Sequence, residues 1–247
     1  MADQAVFARV EKKFLISEQQ ARAMADALRL RFFFMLDFGD PAVQSLYYDT
    51  PDFILIRRSI ERPNYKEKLR LRAYGQPTID GKSFVELKKK YQGVVYKRRV
   101  ELPLKDSVQG LKQGRMPSAC GQIGREIDRF VSFYEGLEPK CMILYDRDAW
   151  ISEKDPDIRI TFDRRIRCRF DDLALTAPQT GELLLPEGQV IMEVKIPGVY
   201  PLWLTRLLES IGARRVHFSK YGTAYTRYIF QGAAQPAPTQ KEAYSIA

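Results

Sequence analysis

The sequence predicts an α+β fold, an eight-stranded antiparallel β-barrel with a charged lumen and helices packed on its outside. Three observations lead there. Eight short segments read as strands, most of them alternating apolar and charged residues with the period of two that marks a strand with unlike faces. Amphipathic stretches of helical period fall between and after them. The 247 residues, 45% hydrophobic and 29% charged, suffice for one domain with a sizeable core.

In chain order, Phe7 to Phe14 sets Arg9, Glu11 and Lys13 on one side and Ala8 and Val10 on the other. Ser17, with Gln20 three residues on, forms a capping box for a helix whose stripe is Ala21, Met24, Ala25 and Leu28. Gln44 to Thr50 is a further strand, and Thr50 and Pro51 read as N-cap and first residue of a helix reaching toward Ile60. Tyr65 to Tyr74 then places Lys66, Lys68, Arg70 and Arg72 opposite Leu69, Leu71 and Ala73. Ser83 to Tyr91 opposes Glu86, Lys88 and Lys90 to Val85 and Leu87, and Val95 to Leu102 opposes Lys97, Arg99 and Glu101 to Tyr96, Val100 and Leu102. Gly93 between them predicts a hairpin.

The pattern over residues 103–136 is helical, with Ile123, Ile127, Phe130, Val131 and Tyr134 as its stripe. Cys141 to Ile151 carries Tyr145 and Arg147 on one face, and Asp157 to Arg165 sets Arg159, Thr161 and Asp163 against Ile158, Ile160 and Phe162. Gln189 to Ile196 sets Glu193 and Lys195 against four aliphatic or Met positions. A helix with Pro at its start and Gly at its end covers Pro201 to Gly212, and a last helix runs from about Ser219 to Phe230. Residues 1–230 thus read as a single domain. Residues 231–247, rich in Ala, Pro and Gln without periodicity, read as a disordered tail.

The chain is basic, with 40 Lys and Arg against 31 Asp and Glu, a net charge of +9 and a pI near 9.4, which favours an anionic partner. The charged strand faces hold thirteen cations against five anions, an excess of eight that accounts for nearly all of it. Two arrangements suit such faces. They can turn to water, as in an ordinary sheet protein. Alternatively, eight strands can close around a lumen wide enough for side chains or one small ligand, with the apolar faces outward against the helices. Like charges crowded in a lumen require water, counter-charge or a polyanion. A chain of phosphates with a divalent metal meets the need, its oxygens taking the Lys and Arg donors while carboxylates hold the metal.

Three cysteines, Cys120, Cys141 and Cys168, are odd in number and lack a CxxC pair, which argues against a disulfide framework or structural zinc and for a reducing, cytoplasmic setting. No signal peptide or membrane-length apolar run is apparent. The single histidine, His217, excludes sites built on two imidazoles, and no GxxxxGK[ST] loop occurs.

Eight motifs in order then resemble a known family: Glu11-Lys12-Lys13, SLYYDTP from Ser45, KLRLRAY from Lys68, VELKKK from Val85, YDR from Tyr145, RITFD from Arg159, MEVK from Met192 and FSKY from Phe218. The chain is similar to the VTC domain, the polyphosphate polymerase domain of the vacuolar transporter chaperone complex, within the triphosphate tunnel (CYTH-like) superfamily. The resemblance implies a tunnel that binds nucleoside triphosphate, such as ATP, and elongates inorganic polyphosphate with Mn2+ or Mg2+. It implies phosphate-handling roles for Lys13, Arg70, Arg72, Lys88, Lys97, Arg147, Arg159 and Lys220, and metal binding for Glu193. The same charged faces add Lys68, Lys90, Arg99 and Lys195, and Ser219 would cap a helix whose N-terminus faces phosphate. Arg70, Arg72, Lys88, Arg147, Arg159 and Glu193 are the expected catalytic set. The eukaryotic family members also carry a phosphate-sensing SPX domain and membrane helices, which this sequence does not show.

Hydrolases and cyclases of the superfamily resemble one another in an ExExK triplet on the first strand; here the triplet is Arg9, Glu11, Lys13. A cation replaces the first glutamate. That favours polymerase over triphosphatase, because an ionised phosphate chain end needs no carboxylate base, whereas water does. A sensor without turnover is a third reading. Nucleic-acid binding is a fourth, although no RNP, KH or zinc-finger pattern is present.

Overall fold

A computed structural model describes residues 6–7, 9–36, 40–61, 63–92 and 94–231. Their elements, in chain order, are β1 (Val6–Phe7), β2 (Arg9–Ser17), α1 (Glu18–Arg29), β3 (Phe33–Leu36), β4 (Ala42–Asp49), α2 (Ile54–Ile60), β5 (Tyr65–Tyr74), β6 (Lys82–Tyr91) and β7 (Val94–Pro103). There follow α3 (Leu104–Gln113), α4 (Gly121–Phe133), β8 (Glu138–Ser152), β9 (Arg159–Arg169), β10 (Glu182–Leu183), β11 (Gln189–Pro197), α5 (Leu202–Ser210), β12 (Arg214–Val216) and α6 (Lys220–Tyr225), which runs on into a π-helical turn over Thr226–Phe230. The expected disordered tail, apart from Gln231, and Gly93 lie outside the described residues.

One antiparallel sheet holds all the described strands, in the order β1-β7-β6-β5-β4-β8-β9-β11-β2-β12, with β3 on β8 and β10 on β9. The eight expected strands are its long members; four short ones add to them, and the pairing order is open where a closed eight-stranded ring was expected. The cause lies at the N-terminus. Val6 and Phe7 pair with Tyr96 and Val95 of β7, and from Arg9 onward the same run of chain pairs with β11 instead. The ladder to β7 is therefore only two residue pairs long. β1, at one edge of the sheet, and β2, beside β12 at the other, are nonetheless consecutive elements of the chain.

The apolar strand faces pack outward, as the alternation predicts. Leu69, Leu71, Val85 and Leu87 of β5 and β6 meet Leu104 and Leu111 of α3 and Ile127 and Phe130 of α4. On the other wall Phe14, Ile16, Ile160, Phe162 and the even-numbered residues 190–196 meet Met24 and Leu28 of α1 and Leu204 and Leu208 of α5. Burial of these side chains is the main stabilising contribution, about 1.5–3 kcal/mol for each large one.

Two helices depart from the expected outside position. Ile56 of α2 and Tyr221, Ala224 and Tyr225 of α6 pack with Tyr47, Ile143, Tyr145 and Ile191, which share the charged face of the sheet. They fill one end of the concave side. α1 starts with the predicted capping box at Ser17 and Gln20. α2 starts later than predicted, at Ile54. Thr50 and Pro51 form a turn, and the Thr50 hydroxyl and the Asp49 carboxylate accept the N–H groups of Ile54, Leu55 and Ile56 from outside the helix. The single helical stretch expected over 103–136 is broken by Gly114, whose φ of 65° ends α3, and by Pro117.

Candidate functional site

Residues paired across neighbouring strands project from the same face, so the registers alone sort the lumen into rows. One wall carries Tyr47, Arg70, Glu86 and Arg99 in a row across β4 to β7, with Lys68, Lys88 and Lys97 in the next. The other wall carries Arg147 beside Asp163, then Thr161, Glu193 and Lys13, then Arg159, Lys195 and Glu11. The walls face each other. Lys88 of β6 feels the charges of Glu11, Lys13, Glu193 and Lys195 from β2 and β11, and Lys13 feels Tyr47 of β4. Lys88 reaches water in the lumen yet is flanked by protein, and desolvation holds its ammonium below the ordinary value.

Two carboxylates are locked by guanidiniums and ammoniums. Glu86, 1% exposed, takes Arg70 Nε and Nη2 at 2.7 Å and Lys97 Nζ at 2.6 Å, with Arg99 and Arg72 at 3.7 and 3.8 Å. Burial raises its pKa, but Arg70, Arg72 and Lys97 outweigh burial and hold it far below the usual range. Asp163, with no exposed surface, takes Arg147 through bonds of 2.6 and 2.8 Å and also Lys220. Burial opposes its ionisation too, and Arg147 and Lys220 still pull its pKa down to about 2.

Glu193 is held more loosely. Its partners are Lys195 at 2.6 Å and Lys13 at 3.8 Å, and against the cost of burial these cations, with Arg147 and Lys220, keep it ionised. A buried carboxylate bonded to flexible ammoniums rather than to a guanidinium fork can exchange them for a hard cation. Divalent metals that bind through one or two carboxylates plus phosphate oxygens require no more from the protein, so Glu193 fits such an ion. Among the described residues no cluster of three or more His, Cys, Asp or Glu stands ready as a cage.

The α6 end completes the site. Ser219 caps α6, its hydroxyl accepting the Gly222 N–H at 3.2 Å and the Lys68 ammonium at 3.3 Å. Lys13 donates to the Phe218 carbonyl at 2.9 Å, and Lys220 stands 4.4 Å above the Tyr145 ring. All fourteen side chains singled out from sequence lie on these two walls or line their ends. Arg159 is the outlying one: it lies on the lumen face but at an exposed strand end, donating to the Pro156 carbonyl at 3.2 Å. Lys90 is likewise exposed, one row beyond Lys88. Glu101 pairs with Lys82 at 3.0 Å outside the cluster. His217 is exposed, between the buried Val216 and Phe218.

One strand supplies lumen residues that its sequence alone does not single out. Ser45 and Tyr47 of β4 face the lumen, where Arg72 donates to Ser45 at 3.1 Å and Arg70 to the Tyr47 hydroxyl at 3.1 Å. Arg72 also donates to the Tyr145 hydroxyl at 3.2 Å. Burial resists ionisation of Tyr47, but Arg70, Lys68 and Arg72 draw its pKa down to about 8. The signal was the alternation of polar residues at 45, 47 and 49.

A curled antiparallel sheet whose concave face gathers ten or more cations around a few carboxylates defines a phosphate-handling tunnel protein. The family model of the VTC domain matches residues 8–229, and the chain belongs to that family. Its fold is that of the triphosphate tunnel (CYTH-like) superfamily. A candidate adenylate cyclase of Bacillus halodurans is 16% identical with a TM-score of 0.54, over 90% of this chain and 100% of that one. A candidate adenylyl cyclase of Hippeastrum, described as having a dominant triphosphatase activity, is 17% identical with a TM-score of 0.51, over 89% and 95%. No curated protein sequence matches the chain. No helix among the described residues is long and apolar enough to cross a membrane.

Proposed function

We propose that this domain is a polyphosphate polymerase, which transfers the terminal phosphate of a nucleoside triphosphate to the end of an inorganic polyphosphate chain inside the basic tunnel. The observation that carries this reading is the state of the carboxylates. Glu86 and Asp163 are each gripped by an arginine and a lysine, which leaves no strong candidate there to deprotonate water. A polyphosphate end arrives already ionised. Its terminal oxygen attacks the γ-phosphorus, the bond to the β–γ bridging oxygen breaks, and the nucleoside diphosphate leaves with that electron pair. Such transfer needs alignment and charge stabilisation more than base chemistry.

In this reading Arg70, Arg72, Lys88 and Arg147 hold the reacting phosphates, and Arg159 stands at the exposed end of the same face. Lys13, Lys68, Lys90, Lys97, Arg99, Lys195, Ser219 and Lys220 hold the remainder of the two polyanions. Glu193 holds Mn2+ or Mg2+, which when bound neutralises phosphate charge. Triphosphate hydrolysis is the second reading. It is favoured by Glu11, a partly exposed carboxylate 3.7 Å from Lys13 that is free of any arginine clamp among the described residues. One assay separates them: ATP, Mn2+ and a short polyphosphate primer, with products followed by gel and by orthophosphate release. Chain growth is expected. Stoichiometric orthophosphate without growth means a triphosphatase, and no turnover means a sensor.

A further inference from the structure

We propose that Tyr74, Phe84 and Arg99 form a subsite for the base of a nucleoside triphosphate, at the end of the lumen away from α2 and α6. The inference rests on the nucleotide-binding reading above and adds to it where the non-phosphate part of the donor lies.

Along β5 the lumen-facing residues change in kind, from Lys66 and Lys68 through Arg70 and Arg72 to Tyr74. In register on β6 stand Lys90 and Lys88, then Glu86, then Phe84. The lysine end lies against the helices, with Lys66 donating to the Ser59 carbonyl at 3.1 Å and Lys68 to Ser219 at 3.3 Å. The aromatic end lies against solvent. Tyr74 is 39% exposed, and its ring meets Phe84 edge-on at 5.6 Å and 73°. The Arg99 guanidinium lies 3.5 Å over the Phe84 ring, and its buried Nε makes no hydrogen bond, standing 3.7 Å from Glu86.

Rings contribute nothing to a site that binds only phosphate, since the negative face of a π-system repels an anion. Nor does the apolar core require Phe84: its neighbours Val85 and Leu87 face that core, and Phe84 faces the lumen. Rings and guanidinium planes are the surfaces on which nucleobases stack. Tyr74 is four residues from Arg70, about 13 Å at a strand rise of about 3.3 Å per residue. A ribose and its triphosphate bridge such a gap. Phe34, 44% exposed and paired with Ile151 on the same face, is the rival ring, but no ring or guanidinium contact to it is found among the described residues.

The test compares metal-free affinities for ATP and for tripolyphosphate, which share their phosphates and differ in the nucleoside. Phe84→Leu should weaken ATP binding by about tenfold, the value of one lost base stack, and leave tripolyphosphate within about twofold. Tyr74→Phe, which keeps the ring, should retain the wild-type preference. Equal changes for both ligands, no change for either, or a selective loss of ATP in Phe34→Leu instead of Phe84→Leu would overturn the subsite. Wild-type protein that binds tripolyphosphate but not ATP would remove the subsite and leave the tunnel reading standing, and binding of neither would remove both.

Discussion

Arg147 and Asp163 lie side by side across β8 and β9, joined by two hydrogen bonds of 2.6 and 2.8 Å on a carboxylate with no exposed surface. The pair fixes the guanidinium plane before any ligand arrives. It also withdraws Asp163 from metal binding, because both carboxylate oxygens are occupied and Lys220 takes one of them as well.

Asp163→Asn would leave Arg147 and Lys220 without their counter-charge. Removing one partner of a buried ion pair costs about 3–5 kcal/mol, and the lower figure applies because the guanidinium still reaches lumen water. The expected loss, about 3 kcal/mol, is read from urea unfolding. A loss below about 1 kcal/mol would mean that the pair behaves as an exposed one.

Glu193 and Arg72 should separate metal from phosphate. Glu193→Gln frees Lys13 and Lys195, so metal-free tripolyphosphate should bind as well as to wild type or better, while Mn2+-dependent turnover falls. Arg72→Ala removes charge-assisted bonds and should weaken metal-free binding by about tenfold or more. Calorimetry in the presence of a chelator decides, and equal losses in the two variants would contradict the division.

Lys68 and Tyr47 should each contribute stability that rises with pH between about 8 and 10. Burial, with Lys88, Lys66 and Lys13 adding to it, pushes Lys68 down to about 8 from 10.5, and Tyr47 falls to about 8 from 10.0. Both folded values lie below the unfolded ones, so across this window the unfolded chain holds more protons at these two sites and loses ground as they are removed. Lys88 and Lys97, also lowered, act in the same sense; Lys13, the buried thiols of Cys141 and Cys168 and the buried Tyr48 and Tyr221, all raised, act against it. The change in urea midpoint from the lower to the upper end of the window should be more positive in wild type than in Lys68→Met. Identical slopes in the two proteins would exclude Lys68 as a source.

Arg9→Glu would recreate the glutamate-rich first-strand triplet. Arg9 occupies the register position opposite Pro197, two residues before Glu11 on the same strand. A carboxylate there can orient water and a second metal, so the ratio of orthophosphate released to polyphosphate made should rise. An unchanged ratio would remove Arg9 from the choice of acceptor.

Strand identity and facing were legible because alternation is local: Lys68, Arg70 and Arg72 point one way and Leu69 and Leu71 the other whatever the rest of the chain does. Capping of α1 was legible for the same reason. The hub at Glu86 was visible only as a carboxylate among lysines; that Arg70 and Arg72 of β5 and Arg99 of β7 converge on it is set by register, which no single segment encodes. The placing of α2 and α6 on the concave face was hidden because Ile56 and Tyr221 present an ordinary apolar stripe, and period alone does not say which face of a sheet receives it. β3, β10 and β12 are too short to show a period.

Residues 9–17 pair with residues 189–197. During synthesis, the first strand to leave the ribosome must therefore wait for a partner made about 180 residues later, roughly ten to forty seconds at the usual elongation rates. Contacts so distant in sequence close slowly. Until they form, the Arg9–Ser17 segment is open to pairing with other chains. The Glu11 and Lys13 charges suit that interval: they keep the waiting strand in solution with the same side chains that later line the lumen.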